Sequence, residues 1–184
     1  MSQPSHSFTL ASKGGLMHVL RTECHVSQAF NPIPGGASPP MVPFEAIWDT
    51  GATASVITQI VITKCGLKPI GMCQVHGVNS TSMCEVYLVN IVLPNAVGFA
   101  NVRVTKSELP GGSDMLIGMD IITQGDFAVT NKGGQTVFSF RVPSQEHKDY
   151  VKDHAATSRR ETMTHGGSRK DRKRRKKEFG KNKS

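Results

Sequence analysis

The sequence predicts a mostly β fold, a closed or partly closed β-barrel with one or two short helices. Three observations lead to this prediction. The 184 residues include 18 glycines and 10 prolines, which favour many short strands joined by turns. Apolar and polar residues alternate in several short segments, as they do in half-buried strands. The clearest helix signal is short, since Thr58 is a good cap for residues 59–65 and Gly66 ends them.

The predicted elements follow one another along most of the chain. A chain of this length has room for one domain with a modest core. A second short helix is expected around Ile121 and Ile122. The predicted strands and extended segments are residues 16–20, 24–26, 42–48, 54–57, 70–78, 82–93, 97–105, 115–117, 127–130 and 135–140.

Charge divides the chain into two parts. Residues 1–147 hold 8 Lys or Arg against 9 Asp or Glu, whereas residues 148–184 hold 14 against 5. The second part lacks apolar periodicity, so it cannot bury enough apolar area to offset its chain entropy. We therefore predict a flexible N-terminus over residues 1–14, a folded domain over residues 15–145, and a disordered polybasic tail over residues 146–184.

Several classes of protein are disfavoured by composition. No apolar run approaches 18 residues, and the polar N-terminus has no signal-peptide pattern, so we expect a cytoplasmic protein without a membrane span. The seven histidines and four cysteines lack metal-ligand spacing, which predicts no metal site. In a reducing cytosol the cysteines are expected to be free thiols. These are Cys24, Cys65, Cys73 and Cys84, the last two expected on one hairpin.

The most informative motif is Asp49-Thr50-Gly51-Ala52, which ends the apolar segment 44–48 and occurs once. By itself the triplet fits an ordinary Asx turn at the end of a strand. Farther along, the apolar pair Leu116-Ile117 precedes Gly118 and a short helix. Between the two motifs, residues 77–80 form the expected tip of a hairpin.

These three elements, in this order, resemble the retropepsin-like aspartic proteases, which are retroviral proteases and their cellular and bacterial relatives. The resemblance extends over residues 15–142. It implies a closed barrel that is active as a two-fold symmetric homodimer, because the reaction needs two carboxylates and the chain supplies one such turn. Its implied function is that of an aspartic endopeptidase, which hydrolyses peptide bonds with a water activated by the two Asp49 carboxylates.

The resemblance also assigns roles to individual residues. Asp49 is catalytic. The residues that support the active-site turn are Thr50, Gly51, Ala52, Leu116, Ile117 and Gly118. The flap that closes over a bound peptide comprises His76, Gly77, Val78, Asn79 and Ser80. No metal or other cofactor takes part.

The chain departs from the viral pattern in two places. Viral enzymes commonly pair an acidic residue after Asp-Thr-Gly-Ala with an arginine after the downstream glycine. Here these positions hold Thr53 and Met119, so both partners of the ion pair are absent together. Asp120 then follows, which favours the cellular and bacterial branch of the family. Asp120 and Asp126 are themselves interpreted as helix-cap or solvated loop residues.

Two alternatives stay open from the sequence alone. The chain could be a non-catalytic dimeric barrel that binds peptides and docks on nucleic acid through its basic tail. The tail itself, with its basic run at residues 168–177, fits either a solubilising extension or non-specific binding to nucleic acid phosphates. A nuclear address would require a eukaryotic host.

Overall fold

The computed structural model describes residues 5–31, 37–76 and 81–165, and this part of the chain contains ten strands and three α-helices. Its contacts divide the chain into two units, Met1–Gln145 and Glu146–Ser184. The strands are β1 (His6–Ala11), β2 (Arg21–Gln28), β3 (Val42–Trp48), β4 (Val56–Ile57), β5 (Gly71–His76), β6 (Thr81–Leu93), β7 (Val97–Lys106), β8 (Met115–Ile117), β9 (Asp126–Thr130) and β10 (Val137–Val142). The helices are α1 (Gln59–Cys65), α2 (Met119–Ile122) and α3 (Tyr150–His165).

Six of the strands close into a barrel. The larger sheet has the order β2-β3-β8-β4-β7-β6-β5, and β2 also pairs with β6. This additional pairing joins the sheet to itself and leaves β5 outside the ring. Closure removes the free edges that the ring strands would otherwise present. The predicted mostly β fold with a closed barrel and few short helices is therefore confirmed.

Buried and exposed side chains alternate along the strands of the first unit, and the buried ones form its core. In β3 the side chains of Phe44, Ala46 and Trp48 are buried, and the residues between them face the other way. The Trp48 ring lies 5.0 Å from the ring of Phe138, and its Nε1–H donates a hydrogen bond of 3.0 Å to the hydroxyl of Thr22. Trp48 is thus a core aromatic residue.

The hairpin of β5 and β6 extends from this barrel. Six register pairs join the two strands, from Gly71 with Val86 to His76 with Thr81. Only from Val86 onward does β6 also pair with β7. Among the described pairings, residues 81–85 therefore have β5 as their only neighbour. The predicted hairpin is present, but its tip at residues 77–80 lies outside the described residues.

A second, three-stranded sheet has the order β1-β10-β9. Strand β1 falls in the segment 1–14 for which the sequence predicted a flexible N-terminus, so the structure differs there. The reason is the aromatic ring of Phe8, which is 4% exposed and packs edge-on against Phe138. Conversely, residues 16–20 were predicted as a strand, but the strand begins only at Arg21.

Helix α1 occupies the predicted residues, Gln59–Cys65, and ends at Gly66 in the left-handed conformation with φ of 62°. The hydroxyl of Thr58 does not cap the helix. It donates instead to the carbonyl of Asp114 at 3.0 Å, which ties the start of α1 to the loop before β8.

The second unit contains helix α3, within the region 146–184 that was predicted to be disordered. The Asp149 carboxylate accepts hydrogen bonds from the N–H groups of Val151 and Lys152, both at 3.1 Å, and so caps the helix. Ala155 and Ala156 add strong helix propensity. The basic run 168–177 lies outside the described residues.

Within the described ranges, no helix has both the length and the apolar character needed to cross a membrane.

Candidate active site

Asp49 stands at the point where β3 leaves the barrel. Strands β3 and β8 are parallel, and their register pairs Trp48 with Ile117. The next amide along β3, that of Asp49, donates a hydrogen bond of 3.0 Å to the carbonyl of Ile117. The end of β8 therefore fixes the backbone from which the Asp49 side chain starts.

The carboxylate of Asp49 is held by its own turn. Its Oδ1 accepts a hydrogen bond of 2.8 Å from the N–H of Gly51, and the N–H of Ala52 donates to the Asp49 carbonyl at 3.3 Å. A Cβ at position 51 would lie 3.1 Å from that same Oδ1, which is tighter than most such contacts. Asp49, Thr50 and Gly51 are all exposed in the single chain.

The segment after β8 lies directly against this turn. The N–H of Met119 donates to the carbonyl of Ala52 at 2.8 Å, and the N–H of Asp120 donates to the carbonyl of Thr53 at 3.2 Å. Thr53 and Met119 occupy the positions of the viral ion pair. Here the two segments are joined by these backbone hydrogen bonds instead.

Gly118 is required by the closeness of this approach. A Cβ there would lie 2.6 Å from the carbonyl carbon of Ala54 and 2.7 Å from its oxygen. Real Cβ atoms do not come so near to backbone, so any larger residue would push the two segments apart. Its φ is −99°, so the reason for glycine is space and not conformation.

Ser55 and Asp120 form a side-chain link that sequence reasoning missed. Ser55 is fully buried; its hydroxyl donates to Asp120 Oδ1 at 2.8 Å and accepts from the N–H of Gly118 at 3.1 Å. The Ser55 amide donates to Asp120 Oδ2 at 3.0 Å. Asp120 also accepts a hydrogen bond of 3.0 Å from the N–H of Ile121. It lies inside α2, whose N-cap is Gly118 without a side-chain cap, so the helix-cap interpretation of Asp120 is wrong. The only signal in the sequence was a polar residue within the apolar segment 54–57.

Leu116 and Ile117, predicted together beneath the turn, lie on opposite faces of β8. Ile117 belongs to the core cluster and is 0% exposed. Leu116 is 8% exposed and pairs in register with Ile47 on one side and Val56 on the other. Register then continues from Val56 to Thr105 and on to Val86.

We call these five residues the outer row: Ile47, Leu116, Val56, Thr105 and Val86. None of them belongs to the core cluster, although all are at least half buried. The row crosses five strands on the face opposite to the core, and it begins two residues from Asp49. Four of its five side chains are apolar; Leu116 and Val86 are buried, and Ile47, Val56 and Thr105 are partly exposed.

Of the predicted flap residues, the structure describes only the backbone of His76, which ends β5 and pairs with Thr81. Gly77, Val78, Asn79 and Ser80 lie outside the described residues. Within the described part of the chain, no three His, Cys, Asp or Glu side chains gather closely enough to hold a metal ion.

A closed barrel with one Asp-Thr-Gly turn, backed by an apolar-apolar-Gly segment, has the architecture that the resemblance to aspartic proteases implies. Residues 41–124 match the family model described as "gag-polyprotein putative aspartyl protease". This range contains Asp49, the hairpin and Gly118. The match supports a retropepsin-like aspartic protease family for this chain. The comparison with curated proteins gave no match.

Similar solved structures were also found. The chain is similar to a retropepsin-like aspartic protease from Rickettsia conorii at 13% identity, covering 77% of this chain and 98% of that one with a TM-score of 0.47. For the retroviral protease-like domain of Ddi1 from Leishmania major the identity is 17%, the coverage 67% and 95%, and the TM-score 0.40. For the Simian Foamy Virus (mac) protease these values are 15%, 56% and 91%, and 0.37.

Proposed function

We propose that this protein is a cytoplasmic aspartic endopeptidase that acts as a homodimer. Each subunit would contribute one Asp49, and the two carboxylates would activate a water that attacks the peptide carbonyl. The observation that carries the proposal is the exposed Asp49 carboxylate, held by the Gly51 amide on a turn that β8 and Gly118 support.

The chemistry follows from placing two carboxylates close together. Like charges at short range cannot both ionise cheaply, so the pair shares one proton over a range of pH. The ionised carboxylate takes a proton from the water, and the protonated one donates to the carbonyl oxygen. The resulting apparent pKa values belong to the pair and not to either Asp49.

The need for a second subunit rests on the count of such turns. The described chain presents one turn of this kind, and its residues Asp49, Thr50 and Gly51 are exposed in the single subunit. A partner placed on a two-fold axis at this surface would bring the second carboxylate and cover the exposed turn. Thr50 is then positioned to hydrogen-bond across the axis, as the family resemblance implies.

The surface beside Asp49 suits an extended peptide with apolar side chains. Ile47 and Val56 of the outer row face away from the core and lie a few residues before and after the turn, and Leu116 pairs in register between them. Apolar side chains of a substrate would bury area there, which favours binding at roughly 25 cal/mol per Å². The hairpin of β5 and β6 would close over the peptide through its backbone groups and exclude water.

The test is cleavage of a mixed peptide library between about pH 4 and 7, since the pair is expected to share one proton over part of this range. Wild type is compared with Asp49→Asn and with the control Asp153→Asn, which changes a carboxylate in α3. We expect cleavage by wild type and control, none by Asp49→Asn, and products that mass spectrometry assigns to defined bonds.

Dilution provides a second measure. Specific activity should fall as the dimer dissociates, because a lone carboxylate has no partner. Constant specific activity down to concentrations at which the protein is monomeric would exclude the shared site. If folded, dimeric wild type cleaves nothing, the non-catalytic peptide-binding barrel becomes the better description.

A further inference from the structure

Two of the four cysteines face each other across the hairpin. Cys73 of β5 and Cys84 of β6 are Cα partners, and they form the third of the six register pairs. Directly opposed residues in antiparallel strands have Cα atoms about 4.5 or 5.5 Å apart, depending on the type of pair. Both values fall within the range of about 4.4–6.8 Å that a disulfide bridges. The backbone therefore already has the spacing that a bond between these residues needs.

The two side chains are also on one face of the hairpin and accessible to a reagent. They are half buried, whereas Met72 and Met83 on the other face are 56% and 62% exposed. Both thiols are free in the structure. The pair is thus reduced, opposed and within reach of small molecules.

The other two cysteines lack these properties. Cys24 is fully buried, and burial, assisted by nearby acidic groups, raises the pKa of its thiol to about 12. Its Sγ lies 3.9 Å from the sulfur of Met115. Burial also raises the pKa of Cys65, whose thiol donates to the carbonyl of Val26 at 3.5 Å. Since the thiolate is the reactive form, both are poor candidates for oxidation.

We propose that Cys73 and Cys84 form a reversible disulfide within the hairpin when the protein meets a low-molecular-weight disulfide such as oxidised glutathione. The step is an exchange through a mixed disulfide. One cysteine, as its thiolate, attacks a sulfur of the small disulfide, and that S–S bond breaks to release the first small thiol. The second cysteine then attacks the sulfur of the first and releases the second small thiol. The protein loses two protons and two electrons, and the small disulfide gains them.

Such a bond would join the strands in the middle of the hairpin. Among the described strand pairings, residues 81–85 pair with β5 alone, and Glu85 at their end also forms an ion pair of 3.5 Å with Lys106 of β7. Cys73 and Cys84 lie on the same face as Gly71 and Val86, and Val86 ends the outer row. The link therefore forms on the face that continues the surface beside Asp49. It restrains the hairpin, and the consequence for peptide cleavage rests on the proposed function.

The test uses the methionines of the chain. Cyanogen bromide cleaves after Met17, Met41, Met72, Met83 and Met115, so each cysteine falls in a different fragment. Full-length protein is incubated with oxidised glutathione, blocked at its remaining thiols, cleaved and read by mass spectrometry. We expect fragment 73–83 joined to fragment 84–115, lighter by two hydrogen atoms than their sum, and separated again by dithiothreitol. Cys73→Ser and Cys84→Ser should lose the joined species, and Cys65→Ser should keep it.

Three outcomes would overturn the proposal: glutathione retained on Cys73 or Cys84 without a joined fragment, a link to fragment 18–41 or 42–72 instead, or four unmodified thiols. The effect on the hairpin has its own measure, hydrogen exchange of residues 71–86, which should slow several-fold on oxidation. In the peptide assay, oxidation should slow wild type several-fold and leave the rate of Cys84→Ser unaltered. Failure of all cleavage would reject the proposed function, and the fragment map would still decide on the disulfide.

Discussion

The Asp120 carboxylate accepts two hydrogen bonds from Ser55, one from its hydroxyl at 2.8 Å and one from its backbone N–H at 3.0 Å. This pair joins the segment that follows the Asp49 turn to the first residues of α2. In viral relatives an ion pair is expected between the same two segments. Here a buried serine and a carboxylate connect them, and the serine hydroxyl also accepts a hydrogen bond from the N–H of Gly118.

Replacing Ser55 by alanine removes both hydroxyl bonds and leaves the Gly118 N–H without this acceptor. Losing a buried hydrogen-bond partner costs about 1–3 kcal/mol, so the free energy of unfolding should fall by that amount. Peptide cleavage should fall as well, because the support of the turn loosens. Urea denaturation measures the first effect, with the exposed Ser107→Ala as the matched control. Equal stability of the two variants would show that the Ser55 hydroxyl does not hold the turn.

Gly118→Ala tests the close approach of the two segments. The added methyl group would meet the Ala54 backbone at 2.6 Å, so the segments must separate. Overpacking of this kind destabilises by about 1–3 kcal/mol. The control is Gly14→Ala, since a Cβ at Gly14 meets nothing within 4 Å. Thermal unfolding of both variants decides; an unchanged Tm for Gly118→Ala would contradict the packing described for this glycine.

Leu116→Ala and Ile117→Ala form a matched pair on the two faces of β8. Ile117 is in the core, so its truncation should cost about 2–5 kcal/mol of unfolding free energy. Truncation of Leu116 should cost less stability and instead raise the KM for apolar peptides. Unfolding curves and peptide kinetics on both variants separate these effects. A KM for Leu116→Ala equal to that of wild type would remove the outer row from the substrate surface.

Asp126 makes the free energy of unfolding depend on pH in the acid range. Burial alone would raise the pKa of its carboxyl, but hydrogen bonds from Ser144, Gln145 and Arg141 outweigh burial and lower it from 3.8 to about 2. A lowered folded pKa stabilises the protein above the unfolded pKa, and this stabilisation is lost as the pH falls from 3.8 towards about 2. Asp126→Asn should therefore destabilise at neutral pH and much less at pH about 2. Urea midpoints across this range measure it, with the exposed Glu108→Gln as control.

Local signals explain what the sequence predicted well. Helix α1 was placed from its cap position and Gly66, and the Asp49 turn follows directly from a triplet at a strand end. Strand β1 was missed because the burial of Phe8 depends on Phe138 and Phe140, which are far away in sequence. Helix α3 was not predicted. The basic composition of residues 146–184 indicated disorder more strongly than Asp149 and the two alanines indicated a helix.

The candidate site also has features that depend on contacts between distant parts of the chain and could not be predicted locally. Nothing near Ser55 in the sequence indicates that its partner is Asp120, because that contact exists only once β4, β8 and α2 are assembled. Likewise, Leu116 and Ile117 look alike as adjacent apolar residues. Only the register with β3 and β4 assigns them to opposite faces, and register between distant strands is set by the whole barrel.

The distance along the chain between these partners has a consequence for biosynthesis. Ser55 meets Gly118 and Asp120, which lie 63 and 65 residues later. At about 5–20 residues per second, a ribosome needs on the order of several seconds to supply them after the Asp-Thr-Gly turn has been made. A nascent chain that ends before Gly118 thus carries the aspartate without its support. The proposed peptidase activity would therefore arise only after residues up to Asp120 have been made.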